Sequence, residues 1–283
     1  MKNILSIAFL SLFFVAANAQ EVIDGVYEKV TTVEKEIIPY DDIREADVFW
    51  SKRVWRTIDT REKMNLIFAY PQLPLAEIVH TAAMNGDLTA YSNHTGITSG
   101  QFLTEDIMAT NKVGQIGNSI DTTWQIDPVT LEDVQVIISN ELEWDKIVKY
   151  KIKEDWFFDE ETSTFQVRVI GIAPVLESFD EDGSFIGDET MYWVYYPDLR
   201  PILAKYEAYN PGNNAVRLSW EDIFEARLFS SYVTKEDNVY DRPIQEYATG
   251  LDALFESDKI KNDMFKFEHD LWSFTNRNNC FNC

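Results

Sequence analysis

Cysteine is nearly absent from this chain. Its 283 residues include two, Cys280 and Cys283, so no disulfide framework defines the fold and no four-cysteine zinc site is available. Histidine is almost as scarce: His80, His94 and His269 lie far apart and share no ligand spacing. Positive charge is in short supply, with 25 Lys and Arg against 48 Asp and Glu and a formal net charge of −23. That balance argues against nucleic acid as a partner, because phosphate binding needs a positive face. It argues equally against docking on anionic lipid heads. Beyond the first twenty residues no uninterrupted apolar span approaches the roughly 20 residues of a bilayer-crossing helix, so no direct membrane insertion is expected. The catalytic motifs are missing too: no nucleophile elbow, phosphate loop, dinucleotide fingerprint or His-Glu-x-x-His. Among 48 acids some pair always suits glycoside hydrolysis, and spacing alone selects none. Asp180-Glu181-Asp182-Gly183 begins like a calcium loop without the downstream ligand pattern, and reads better as a solvated hairpin turn. No cofactor and no metal is expected.

What the sequence does contain begins with a leader. Lys2 precedes a mostly apolar stretch, Ile4 to Ala17, and Ala17-Asn18-Ala19 offers small residues to a signal peptidase. Residues 1–19 are therefore expected to be a signal peptide cut before Gln20, with no adjacent cysteine for lipid attachment. Loss of Lys2 moves the formal charge from −23 to −24. Hydrophobic residues make up 45% and aromatics 14%, ample for a packed core and unlike a disordered acidic tail. In an exported protein the terminal Cys280-Phe-Asn-Cys283 favours a disulfide, closed internally or made to a partner. A low-pKa redox thiolate needs a following helix, which the motif lacks. Free thiols and metal remain as minor readings.

Periodicity organises the rest. Residues 20–40 read as an extended arm. Asp42 and Glu45 resemble a capping box, and Ala46, Trp50, Val54 and Ile58 then follow at helical spacing, which predicts a helix over 43–58. Further helices are expected over 61–69 and from Pro74 to Asn85-Gly86, with His80 packed or at the surface of the latter. Residues 93–128, rich in Gly, Ser, Thr and Asn, read as loops with minor strands. Val148, Tyr150 and Ile152 alternate with lysines, Phe165, Val167 and Val169 alternate with polar residues, and a third strand falls near 191–196. Period two implies one covered and one wet face. Helices are expected over 199–206, after a Ser219 cap, and along Ile260, Met264, Phe267, Leu271 and Phe274. The class is α+β: a three-strand antiparallel meander packed with helices, flanked by helical N-terminal and C-terminal segments. One domain is expected over 41–283, and a subdivision would fall near 130–145.

One local feature stands against the acidic background. Lys52, Arg53, Arg56, Arg61 and Lys63 crowd between Ser51 and Lys63, interleaved with Trp50 and Trp55. Two readings compete: a helix with buried aromatics and solvated cations, or a contact surface in which Lys52, Arg53, Trp55 and Arg56 meet a partner, since Trp and Arg are enriched at interface hot spots.

The same stretch, FWSKRVWRTIDTREKMNLIFAYP from Phe49 to Pro71, resembles the GldN family and its PorN counterparts, as do WVYYPDLRPIL at 193–203 and WEDIFEARLF at 220–229. The resemblance implies a periplasmic component of the type IX secretion system of the Bacteroidetes, which exports adhesins and enzymes and supports gliding. It implies self-association in a ring with an outer-membrane lipoprotein, GldK or PorK, at the periplasmic face of the outer membrane. Contact with the periplasmic part of the motor protein GldM or PorM is implied as well, and catalytic residues are not. A periplasmic hydrolase or carbohydrate-binding protein with dispersed carboxylates is the alternative.

Overall fold

The computed structural model describes residues 35–93, 102, 104–116, 119–126, 133–140, 142–180, 182–210, 212 and 217–279, with side chains left out at 104, 119–140 and 272–279. The leader, residues 20–34 of the arm, His94, Cys280 and Cys283 lie outside the described residues. In chain order the elements are β1 (Val48–Asp59), α1 (Leu75–Asn85), β2 (Ala90–Tyr91), α2 (Thr110–Val113), β3 (Ser119–Ile126), β4 (Asp133–Asn140), β5 (Ile147–Asp159) and β6 (Thr164–Phe179). There follow β7 (Phe185–Thr190), β8 (Trp193–Tyr195), α3 (Tyr196–Leu203), β9 (Glu207–Ala208), β10 (Leu218–Ser219), α4 (Trp220–Glu225), β11 (Tyr232–Glu236) and α5 (Leu251–Asn279). The class is α+β.

The principal sheet runs β11-β1-β5-β6-β8-β2, with β7 also paired to β6, and its ladders are antiparallel. Its backbone is the β5–β6 ribbon, which pairs from Ile147 opposite Leu176 to Asp159 opposite Thr164, with register shifts between Ile147 and Lys149 and between Lys153 and Glu154. The meander expected from the alternating runs is therefore present. The turn at 180–183 closes through Gly183 N–H on the Asp180 carbonyl at 2.8 Å, with Gly183 at φ 77°, a left-handed position that glycine takes without strain.

The predicted helix over 43–58 is not formed. Residues 48–59 are strand β1, paired along its length with β5, and Glu45–Asp47 is one 3-10 turn with no side-chain cap. Trp50, Val54 and Ile58 are four apart, a spacing that a period of two satisfies as fully as one of 3.6. The residues between decide: Val, Phe, Trp and Thr favour a pleated surface. The expected 61–69 helix shortens to a 3-10 helix at Lys63–Ala69, stapled by Asn65, whose side chain donates to the Asp59 and Ser230 carbonyls. β3, within the 93–128 stretch read as loops with minor strands, pairs with β4 beyond it over eight residues each.

Helix α1 forms where expected, with Gly86 at φ 82° closing its C-terminus on the Ala82 and Ala83 carbonyls. Its apolar side, Leu75, Val79 and Ala82, meets Ile58, Tyr150, Ile152 and Ile172 from the inner face of the sheet. Leu199 and Leu203 of α3 and Trp220 and Phe224 of α4 complete this core, each large side chain stabilising by about 1.5–3 kcal/mol. The Tyr150 hydroxyl accepts from Ala76 N at 3.1 Å, satisfying one orphan amide at the start of α1. Helix α5 builds a second cluster, placing Ile260 and Met264 on Val54, Val233 and Ile244. Trp50 stacks on Phe267 at 4.6 Å, and Ser257 accepts from Val233 N at 2.8 Å, so α5 lies against edge strand β11.

Candidate interaction surface

The strand splits the basic island. Alternation along β1 sends Arg53 and Trp55 to the outer face of the sheet and Lys52, Val54 and Arg56 to the other. Arg53 grips Asp155 with two bonds of 2.6 Å and is 41% exposed; those bonds hold its pKa above the ordinary value against the cost of burial. Lys52 pairs with Glu236 at 2.6 Å. Arg56 is 6% exposed and donates to Ser231 Oγ and to the Ser231 carbonyl, both at 2.8 Å. Burial pushes its pKa down, opposed by Glu154. Trp55 is 6% exposed, and its indole N–H finds no acceptor among the described residues. Of the four expected contact residues, Lys52 and Arg53 reach solvent, while Trp55 and Arg56 belong to the frame.

Sequence reasoning did not anticipate what surrounds Trp55. Lys149, Lys151 and Lys153 alternate with Tyr150 and Ile152, so the core-facing side of β5 leaves three ammonium groups on the outer face. Lys149 meets Asp188 at 2.7 Å and Glu177 at 3.5 Å. Lys151 donates to Thr190 Oγ1 at 2.8 Å. Lys153 lies 5.9 Å from the Trp55 ring and 5.4 Å from Phe102, and Lys235 sits 4.3 Å over Trp55 while pairing with Asp241. Burial brings Lys151 below the ordinary lysine range. Burial, with Arg53 and Lys235 adding like charge, brings Lys153 down to about 8. A cavity of about 560 Å³ opens over these groups, walled by Phe185 and Asp188 of β7 at one end and by Pro243 and Glu246 at the other. The lysine alternation was visible in the sequence; the walls come from residues 32 to 97 positions away and were not.

A second polar cluster fastens the arm. The Tyr40 ring lies between the Arg200 and Arg168 guanidinium groups, at 4.0 and 4.8 Å, and its hydroxyl donates to Glu225. Lys35 donates to Ser219 Oγ, Glu221 Oε2 and Asp222 Oδ1 at 2.8, 3.0 and 2.6 Å. The receiving surface is the first turn of α4, where Ser219 and Asp222 form a capping box: the Ser219 cap read from the sequence thus also serves as the arm's anchor.

A family model described as gliding motility associated protein GldN matches residues 43–273. The chain belongs to the GldN family. No curated protein matches the sequence. The GldN match starts just before β1 and ends within α5, covering the whole sheet and its helices; the clamped arm at Lys35–Asp42 precedes it. Membership makes the chain a component of the gliding motility machinery.

Two of the four buried acids among the described residues of this GldN-family fold, Glu154 and Glu221, are tied to arginines, while Asp159 accepts from Glu161 N and Thr162 Oγ1 and Asp106 Oδ2 meets no donor. Glu154, 0% exposed, lies 2.8 Å from Arg227 through Oε1. That contact is not an aligned hydrogen bond: Oε1 has no accepted bond, while Oε2 accepts from Arg227 and from Trp156 Nε1 at 3.1 Å each. Glu221 holds Arg200 at 2.9 Å. His80 Nδ1 is 3.2 Å from the Tyr192 hydroxyl, and burial lowers its pKa. Among the described residues no group of three or more His, Cys, Asp or Glu is arranged to hold a metal ion. No described helix is long and apolar enough to cross a membrane.

Proposed function

We propose that this chain is a non-catalytic structural subunit of the type IX secretion and gliding machinery. It works in the periplasm at the outer membrane, self-associating in a ring with a GldK- or PorK-like lipoprotein and touching the periplasmic part of a GldM- or PorM-like motor protein. The observation that carries this reading is the GldN match over residues 43–273, which takes in every strand of the principal sheet. The pairing of buried Glu154 and Glu221 with arginines supports the absence of a catalytic role, because an acid–base carboxylate must reach a substrate. The contact surface is the solvent-reaching first half of β1, with Lys52 and Arg53 as its cations on opposite faces of the strand. Residues 1–19 are removed as the leader, residues 41–283 form one domain, and Cys280 and Cys283 form a disulfide, internal or to a partner.

The test is capture of the lipoprotein by the mature protein and by a Lys52→Ala/Arg53→Ala variant, read at low and physiological ionic strength. Both pairs are partly exposed, so the variant keeps its fold to within about 1 kcal/mol. Capture weakens, most at low salt, because rim charges act through steering. Undiminished capture would reduce the island to an intramolecular strut. A glycan- or peptide-hydrolysing turnover that vanishes on changing one carboxylate would replace the assembly reading with the hydrolase.

A further inference from the structure

The cavity over the lysines is unevenly compensated. Of its lining cations, Lys149 has Asp188 and Glu177, and Lys235 has Asp241. Lys151, at the centre, has only the neutral Thr190 hydroxyl, and among the described residues no carboxylate lies within 4.0 Å of it. Asp188 acts on it from beyond contact distance and is already paired with Lys149, whose like charge opposes it; a half-buried ammonium with no carboxylate in contact is costly, and one brought to it recovers part of that cost. The rim supplies a second, independent observation. Phe185 and Ile186 on β7 are 55% and 66% exposed, and Phe179 packs edge-on against Phe185 at 6.0 Å. An exposed apolar cluster beside a charged floor is the make-up of a protein contact.

We propose that this trench binds an extended acidic segment of a partner protein, one carboxylate seated on Lys151 and its apolar neighbours on Phe185 and Pro243. The inference deepens the assembly reading and rests on it for the partner being a protein of the machinery; the chemistry rests on the trench alone. The trench runs from β11 across β1 and β5 to β7 beyond β6, four inter-strand steps of about 4.8 Å, the length of about six extended residues. Trp55 and Trp193 are buried, so they offer no open ring for a sugar to stack on. A second copy of this chain carries −23 itself and meets a repulsion that a less acidic partner avoids.

The probe is a fluorescein-labelled peptide, Ser-Val-Glu-Val-Glu-Ser, against its glutamine analogue, read by anisotropy with the mature protein. The glutamate peptide binds at least about tenfold more tightly than the analogue, and Lys151→Met loses at least about tenfold of that affinity. Lys151→Met keeps the stem's volume and removes a desolvated charge, so its melting temperature does not fall; Lys151→Glu gives a second reading of the same loss. Equal binding of the two peptides, equal binding by wild type and Lys151→Met, or no binding at all overturns the proposal. So does a dimer that Lys151→Glu dissociates while the peptide fails to bind, which assigns the trench to a second copy. Lost peptide binding with intact lipoprotein capture supports the trench and separates it from the lipoprotein contact. Failure of wild type to capture the lipoprotein while it still binds the peptide sinks the assembly reading alone.

Discussion

Arg53 and Arg56 stand three residues apart and meet opposite fates. The first is a partly exposed partner of Asp155, the second a buried donor to Ser231. Arg56→Glu would set a carboxylate near Glu154 with water excluded, and urea denaturation should show a loss of about 3–5 kcal/mol. Arg53→Ala in the same experiment should stay within about 1 kcal/mol. A wild-type midpoint for Arg56→Glu would contradict the burial of that guanidinium. Lys153 makes a pH-dependent case. Its ammonium titrates near 8 in the folded chain against 10.5 ordinarily, so between those values the folded state holds fewer protons than the unfolded one. Wild-type stability therefore rises with pH across that window. Lys153→Met should melt higher at pH 7, by up to about 3 kcal/mol, with the advantage fading as pH climbs from 8 past 10.5; a constant difference would count against the shift.

Among the elements, legibility followed the range of the interaction. Ser219 was readable as a cap because the bonds that make one, here with Asp222, span three residues. The β5–β6 ribbon was readable because its alternation is long and its turn polar. Strand β1 was misread because Trp50, Val54 and Ile58 satisfy both periods, and only pairing with β5, about a hundred residues on, selects one. The short edge strands β2 and β11 carry too few alternations to register. The trench shares this limit: its lysines were in view, but β7 and the 243–246 loop that wall it are placed by the sheet. The cap's double duty gives a prediction. Ser219→Ala should cost about 1 kcal/mol as a lost N-cap, and it also removes an acceptor of Lys35. Thermal melts should show the first, and faster proteolysis within residues 35–41 the second. Unchanged cleavage there would mean that Glu221, Asp222 and the Tyr40 clamp hold the arm without Ser219.

At the scale of the whole molecule, surplus acid and sheet geometry act together. A chain at −23 keeps its neighbours apart except where local contacts prevail within the screening length of about 8 Å, which leaves surfaces such as Arg53 and the trench to choose partners. The β5–β6 ribbon adds a mechanical consequence. The 13 residues of β5 reach about 40 Å, from the aromatic seat of α5 at Trp50 and Phe165 to the lysine trench. Tension along that axis loads every ladder bond at once, whereas tension across it opens them one after another. In single-molecule pulling, handles at Asp59 and Thr164, which sit at opposite ends on the two strands flanking β5, should rupture at a higher force than handles at Asp59 and Glu177, which sit at the same end. A subunit of a motile machine built this way is stiff in one direction and compliant in the other, so its orientation decides whether it carries load or yields to it.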